Sequence, residues 1–210
     1  MKKIMFNDRY GLTQAVLERK KTMTRRIIKG DYVAVIQLKY EGSFIGKTVE
    51  GDSVILPPPT YKIGDVVAVA QPYKNDDVLN YNAYNKDGTA REDGLQRHKE
   101  MLGSKGYRNK MFVKADLMPH HIRITDLWFE RLQNISDDDC LKEGIHVHNP
   151  EPGNPNFIGY VYDATPGTNV KRWWFHTPRE AFAALINRVS GPHTWDGNPW
   201  VIAYTFELVD

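Results

Sequence analysis

Cysteine is almost missing from this chain: of 210 residues only Cys140 carries a thiol. That excludes an intramolecular disulfide and any cysteine-built zinc cage, and it fits a reducing compartment. Long apolar runs are missing too, since no stretch approaches the roughly 18 residues that a membrane span needs. The opening Met1-Lys2-Lys3-Ile4-Met5-Phe6 has the charged start of a secretory signal, but its apolar stretch stops at Asn7-Asp8-Arg9. A cytoplasmic protein without membrane partners is the expectation. Nor is there a large excess of one charge. Lys and Arg number 28 against 26 Asp and Glu, for a net charge of +2, which argues against a polybasic nucleic-acid coat and an acidic disordered chain. Walker loops, dinucleotide fingerprints and nucleophile elbows are also absent.

The charge that is present is unevenly placed. Residues 1–30 hold nine basic side chains and two acidic ones, or +7, so the other 180 residues sum to −5. Six of those cations fall within residues 19–29, as a local anion site or a solvated helix end would require.

Hydrophobic spacing outlines the elements. Leu12, Ala15 and Val16 recur at helical spacing, predicting a short helix over residues 11–20. Thr22 to Ile28 reads as a strand on which Thr24 and Arg26 share a face. Residues 31–56 read as a hairpin closed by Pro57-Pro58-Pro59, and Val66 to Ala70, after Gly64-Asp65, as a buried strand. Residues 72–110 are polar and tyrosine-rich, and read as an insertion with one helix near 95–102 that forms a candidate lid. Strands are predicted at Met111–Val113, at Ile122–Leu132 and over Trp200–Val209. Ser136 with Asp139, and Thr177-Pro178-Arg179-Glu180, carry helix-start signals, while Gly144 and Gly191-Pro192 stop the two helices. Residues 146–172, with four prolines and three glycines, are read as loop. Short strands with few helices and no regular βαβ alternation predict an α+β fold, a small β-barrel with peripheral short helices, as one domain over 1–210 with insertions at about 72–110 and 146–172.

The stretch Arg19-Lys20-Lys21-Thr22-Met23-Thr24-Arg25-Arg26 resembles the G-x-K-x-x-T-x-R motif of the ASCH family within the PUA-like superfamily. Lys21, Thr24 and Arg26 match; Arg19 stands where the motif has glycine. Tyr61 to Val69 resembles the family's strand after a Gly-Asp turn, and Ile124 to Ile145 and Trp195-Asp196-Gly197-Asn198-Pro199-Trp200 resemble the larger phage and prophage members. The resemblance thus touches both ends and the middle, and leaves out the two insertions. It implies a PUA-like barrel whose cleft takes RNA or a modified nucleoside or nucleotide, without a cofactor.

Some small ASCH members remove the acetyl group from N4-acetylcytidine with a Lys, a Thr and a Glu, which by motif become Lys21, Thr24 and Glu143 here. A threonine hydroxyl needs an adjacent base, and lysine can be one only if desolvation or neighbouring cations lower its pKa. Arg19, Arg25 and Arg26 supply positive charge, and Arg26 is placed to hold an oxyanion or phosphate. Tyr73 in the insertion, together with Trp173 and Trp174, are candidate ligand contacts, the tryptophans as base-stacking platforms. Plainer roles exist for the trio: Lys21 at a helix C-terminus, Thr24 as a strand residue, Glu143 as a solvated helix-end carboxylate. The expectation is a module that binds RNA or a modified nucleoside in a basic cleft; the alternative is amide hydrolysis by the trio, and, less favoured, ribonuclease action with Lys21 on the phosphate. A metal site built from His146 and His148 with His120, His121 or Asp163 also remains open.

Overall fold

The computed structural model describes residues 1–37, 44–148, 159–162 and 174–209. Strand β1 (Lys3–Ile4) leads through a 3-10 turn at Asp8–Tyr10 into helix α1 (Leu12–Leu17). Asn7 caps that turn by accepting from Arg9 N, and Gly11 makes the bend between turn and helix with φ 68°. Leu12, Ala15 and Val16 form the buried side of α1. The helix ends in a tight reversal in which Lys20 N and Lys21 N both donate to Ala15 O, at 2.9 Å each. Arg19 sits in that reversal at φ 59°, the left-handed region in which glycine is least strained. The predicted strand follows as β2 (Met23–Ile27).

Chain order continues with β3 (Tyr32–Gln37), β4 (Phe44–Thr48), β5 (Ser53–Leu56), β6 (Val66–Val69), α2 (Asp76–Ala83), α3 (Gly94–Leu102), β7 (His121–Arg131), α4 (Asp137–Lys142), β8 (Ile145–His148), β9 (Gly159–Tyr162), α5 (Pro178–Ser190), α6 (Thr194–Gly197) and β10 (Trp200–Leu208). Five strands form the main sheet in the order β1-β6-β7-β10-β2. The β1–β6 pair is parallel and the other three are antiparallel. The long β7–β10 ladder shifts register between Thr205 and Phe206, where Asp126 and Ile124 are the successive partners and Thr125 is the extra residue. That bulge explains the apolar spacing of β7. Ile122 and Ile124 precede it, Leu127 and Phe129 follow it, and all four stay on the face of Tyr204 and Phe206.

The mixed α+β class is as expected. The closed barrel is not: the sheet is open, with β1 and β2 as its two edges. Only two residues of β1 pair before the chain turns into α1, so β2 finds no partner strand there. One side chain crosses the gap instead, with Arg26 Nη2 donating to Met5 O at 2.9 Å. A separate antiparallel sheet, β3-β4-β5, hangs on the main one through Trp200 Nε1 and Arg131 Nη2, which both donate to Tyr32 O at 2.9 and 2.7 Å. Trp200 and Trp195 therefore serve packing. The Trp195 ring meets Phe182 edge-on, with centroids 6.2 Å apart. Helix α5 starts at the Thr177 cap and lays Phe182, Leu185 and Ile186 into the main core beside Ile4, Val67 and Tyr204.

Three further expectations are corrected. Residues 72–110 are not one helix in a loop: α2 and α3 pack with Ala68, Ala70, Tyr73, Val113, Leu117 and Met118 into a second core. Helix α2 shows little apolar period because Val78 is its only fully buried apolar side chain; the other buried position is Asn82, whose amide donates to Val78 O and Leu117 O. The strand expected at Met111–Val113 is a 3-10 turn over Lys110–Phe112, with Met111 and Phe112 exposed. Within the expected loop 146–172, β8 pairs with β9 as an antiparallel pair.

Candidate functional site

Lys21, Thr24 and Glu143 converge. All three are buried, at 2%, 6% and 4% exposure, and all three line one cleft of about 660 Å³. The cleft opens where the main sheet fails to close. Its walls are the segment after β1 (Met5 to Arg9), the outer edge of β2, and the stripe Phe182, Leu185, Ile186 and Val189 of α5.

Two backbone devices bring Glu143 to Lys21. Ser136 starts α4 by accepting from Asp139 N, and Gly144 ends it at φ 103°. A Cβ at position 144 would lie in van der Waals contact with Leu12 Cδ2 at 3.4 Å and with the Lys21 stem at 3.7 Å. The last carbonyls of α4 then face β2: Thr22 N donates to Lys142 O at 2.9 Å, and Lys21 Nζ donates to Glu143 O at 2.7 Å. Lys21 does complement a helix C-terminus, but that of α4 and not of its own α1. The same ammonium donates to Glu143 Oε2 at 2.6 Å.

Arg25 holds the other side of the carboxylate. Its guanidinium reaches Glu143 Oε1 at 3.2 Å, Glu130 Oε1 at 2.7 Å and Asp139 Oδ2 at 3.0 Å. Lys142 adds a further contact to Asp139 at 3.2 Å. Three cations thus face three carboxylates, and the cluster has no net charge. Burial pulls the Lys21 ammonium below the ordinary lysine pKa; Glu143 opposes that shift and Arg26 and Arg25 reinforce it.

The basic segment of the sequence is therefore divided, with two of its cations turned inward while Arg9, Arg19, Lys20, Arg26 and Lys29 stay exposed. Lys21 and Arg25 are buried and paired, and Lys20 pairs with Glu18 at 2.6 Å. Exposed positive charge at the cleft comes from Arg26 and from Arg9, a residue that sequence reasoning missed. Arg26 and Lys21 both approach the Phe6 ring, each 5.9 Å from its centroid. Thr24 Oγ1 lies in the cleft wall with no side-chain hydrogen bond to any described residue.

The other expected ligand contacts are elsewhere. Arg19 does not line the cleft, and its Nη1 donates to Leu208 O at 3.0 Å. Tyr73 is buried in the second core, where its hydroxyl accepts from Lys114 N at 2.7 Å. Trp174 lies against Gly159 of β9, so close that a Cβ there would sit 2.5 Å from the indole. Trp173 falls outside the described residues, as does Asp163 of the metal alternative. No cluster of three or more metal-ligating side chains occurs among the described residues. Nor does any described helix have the length and apolarity to cross a membrane.

Missed on the sequence side were Phe6, Arg9, Lys110 and the α5 stripe as cleft walls. The stripe was legible as a buried helix face; nothing local shows that its end is left open over β2. Comparison with protein-family models, with curated proteins and with solved structures finds no match.

Proposed function

We propose that this cleft takes a modified nucleoside and hydrolyses an acyl group from its exocyclic amine, with Thr24 as nucleophile, in a PUA-like fold of the ASCH type. One observation carries the reading: the Thr24 hydroxyl, with no side-chain hydrogen bond to any described residue, lines the same cleft as the buried Lys21–Glu143 pair. The mechanism calls for one proton shared by that pair, which is neutral whether the proton rests on Lys21 or on Glu143. With the proton on Glu143, the Lys21 amine accepts the Thr24 hydroxyl proton as Oγ1 bonds to the acyl carbon. Collapse of the tetrahedral adduct breaks the C–N bond, and the leaving amine takes a proton from Glu143. Water, deprotonated by the pair, then cleaves the acyl-threonine ester to the free acid and restores the hydroxyl. Arg26 at the rim supplies positive charge for the developing oxyanion, and the apolar stripe of α5 offers a flat wall for a base.

The test is direct. Incubation with N4-acetylcytidine, with products read by mass, yields cytidine and acetate; Thr24→Ala abolishes turnover. A panel of acylated nucleosides that all survive intact overturns the assignment.

A second reading has its own support. Lys21 Nζ already donates twice to Glu143 and makes no bond to Thr24. That arrangement suits a site that binds a nucleoside or an RNA base without chemistry. Under it, Arg26→Ala weakens binding while Glu143→Gln produces no change in products, because none form.

A further inference from the structure

A second cleft, of about 380 Å³, lies between α1 and the head of the insertion, and it adjoins the first. Asp8 lines both clefts. Lys110 lines the first, and its ammonium holds Asp8 Oδ1 at 2.7 Å and Thr13 Oγ1 at 3.2 Å, Thr13 being a wall of the second. This knot is the partition between the two spaces, and the Lys110 charge offsets that of Asp8.

Two features of the second cleft call for a ligand. Lys74 and Arg108 stand exposed at its wall, and neither pairs with a carboxylate among the described residues. Gln71 also lines it, is only 3% exposed, and leaves its amide oxygen buried with no donor among the described residues. A buried acceptor without a partner is a cost that a bound donor removes. The site therefore suits an anion with a hydroxyl or N–H donor beside it, and a phosphorylated ribose supplies both.

We propose that this cleft is a phosphate subsite for the nucleoside held next door, with Lys74 and Arg108 on the phosphate and Gln71 on a ribose hydroxyl. The proposal rests on the nucleoside reading of the first cleft and names its substrate class: a nucleotide, free or within a strand. Calorimetric titration of the intact protein with cytidine, 5′-CMP, 3′-CMP and a short cytidine-containing oligoribonucleotide tests it. One monophosphate binds at least about tenfold more tightly than cytidine, and the advantage shrinks with salt as two phosphate contacts require. Lys74→Ala/Arg108→Ala, at two exposed positions, removes that advantage and leaves cytidine binding unchanged. A still tighter oligoribonucleotide marks a strand as the source of the phosphate; affinity equal to the monophosphate marks a free nucleotide. Cytidine binding without any gain from phosphate, or a gain that survives the double variant, overturns the subsite and leaves the first cleft as proposed. No binding of any of the four, with no turnover of N4-acetylcytidine, overturns both.

Discussion

The Lys21 ammonium donates at once to the carboxylate and to the main-chain carbonyl of Glu143, at 2.6 and 2.7 Å. One side chain thus caps α4 and neutralises the carboxylate beside it. Removing one partner of a buried ion pair strands the other charge, which costs about 3–5 kcal/mol. Glu143→Ala should lose that much stability in urea melts, because it strips Lys21 and also takes one of three carboxylates from Arg25. A Lys21→Met/Glu143→Leu chain should recover most of the loss, since Arg25 keeps Glu130 and Asp139. Equal destabilisation of the single and double variants would show that the pair is not the source.

Lys21 also sets an alkaline signature. Its pKa in the folded chain lies below the ordinary 10.5, chiefly through burial. Between the folded value and 10.5 the unfolded chain binds a proton that the folded chain has lost, so this residue makes stability rise with pH across that window. Its contribution is unfavourable at neutral pH and fades toward 10.5. Lys21→Met should therefore flatten the alkaline limb of the stability curve relative to the parent, by urea melts between pH 7 and 10. In the hydrolase, turnover should fall over the same range, because the proton that Glu143 gives to the leaving amine is lost from the pair. A pH-independent difference between the two chains would contradict the shift.

How much of this was legible beforehand follows from the range of each signal. Lys21, Thr24 and Glu143 were named only through the resemblance to the ASCH motif; the local patterns showed no more than a turn into a strand and a short capped helix stopped by glycine. Alternation along β2 separated Arg25 from Thr24 and Arg26. It gave no hint that Glu130 from β7 and Asp139 from α4 meet Arg25 in space, and Arg25 was therefore counted among the ligand-binding cations. Barrel closure failed for a similar reason. Two paired residues of β1 look the same in sequence whether or not a distant edge strand reaches them. Helix α2 was hidden because one buried valine and one buried asparagine make no apolar period.

The reversal after α1 carries a backbone prediction. An arginine at φ 59° costs about 1–2 kcal/mol relative to glycine. Arg19→Gly relieves that strain and loses the exposed hydrogen bond to Leu208 O, worth about 0.5–1.5 kcal/mol. The two offset, so Arg19→Gly should stay within about 1 kcal/mol of the parent. Gly144→Ala has no such compensation, since its φ of 103° is a backbone conformation that residues with a side chain rarely adopt. It should destabilise by more than about 1 kcal/mol, and with it displace Glu143. Denaturant midpoints of the two variants separate these outcomes.

Tyr73 distinguishes a core residue from a ligand contact. Its hydroxyl accepts from Lys114 N inside the second core, and Tyr73→Phe leaves that N–H without its acceptor, at about 1–3 kcal/mol. Stability should fall by that amount, while affinity for a nucleoside in the first cleft stays unchanged. A loss of affinity at full stability would return Tyr73 to the ligand.

Cys140 is the last residue whose behaviour the fold dictates. It is fully buried on α4, between the Ser136 cap and Glu143, and burial pushes its thiol up to about 12. Only the thiolate reacts with disulfide reagents, and at pH 8 almost none is present even before access is considered. The native chain should therefore titrate no thiol with an aromatic disulfide reagent, and the urea-unfolded chain should titrate one. Because α4 must open for reagent to enter, the slow native rate should track the stability of this helix. Glu143→Ala, which removes one of the contacts between α4 and β2, should raise that rate by more than its loss of global stability accounts for, whereas Tyr73→Phe should raise it by no more than its own loss. Acceleration of both variants in proportion to their global stability would mean that the thiol is exposed only by global unfolding.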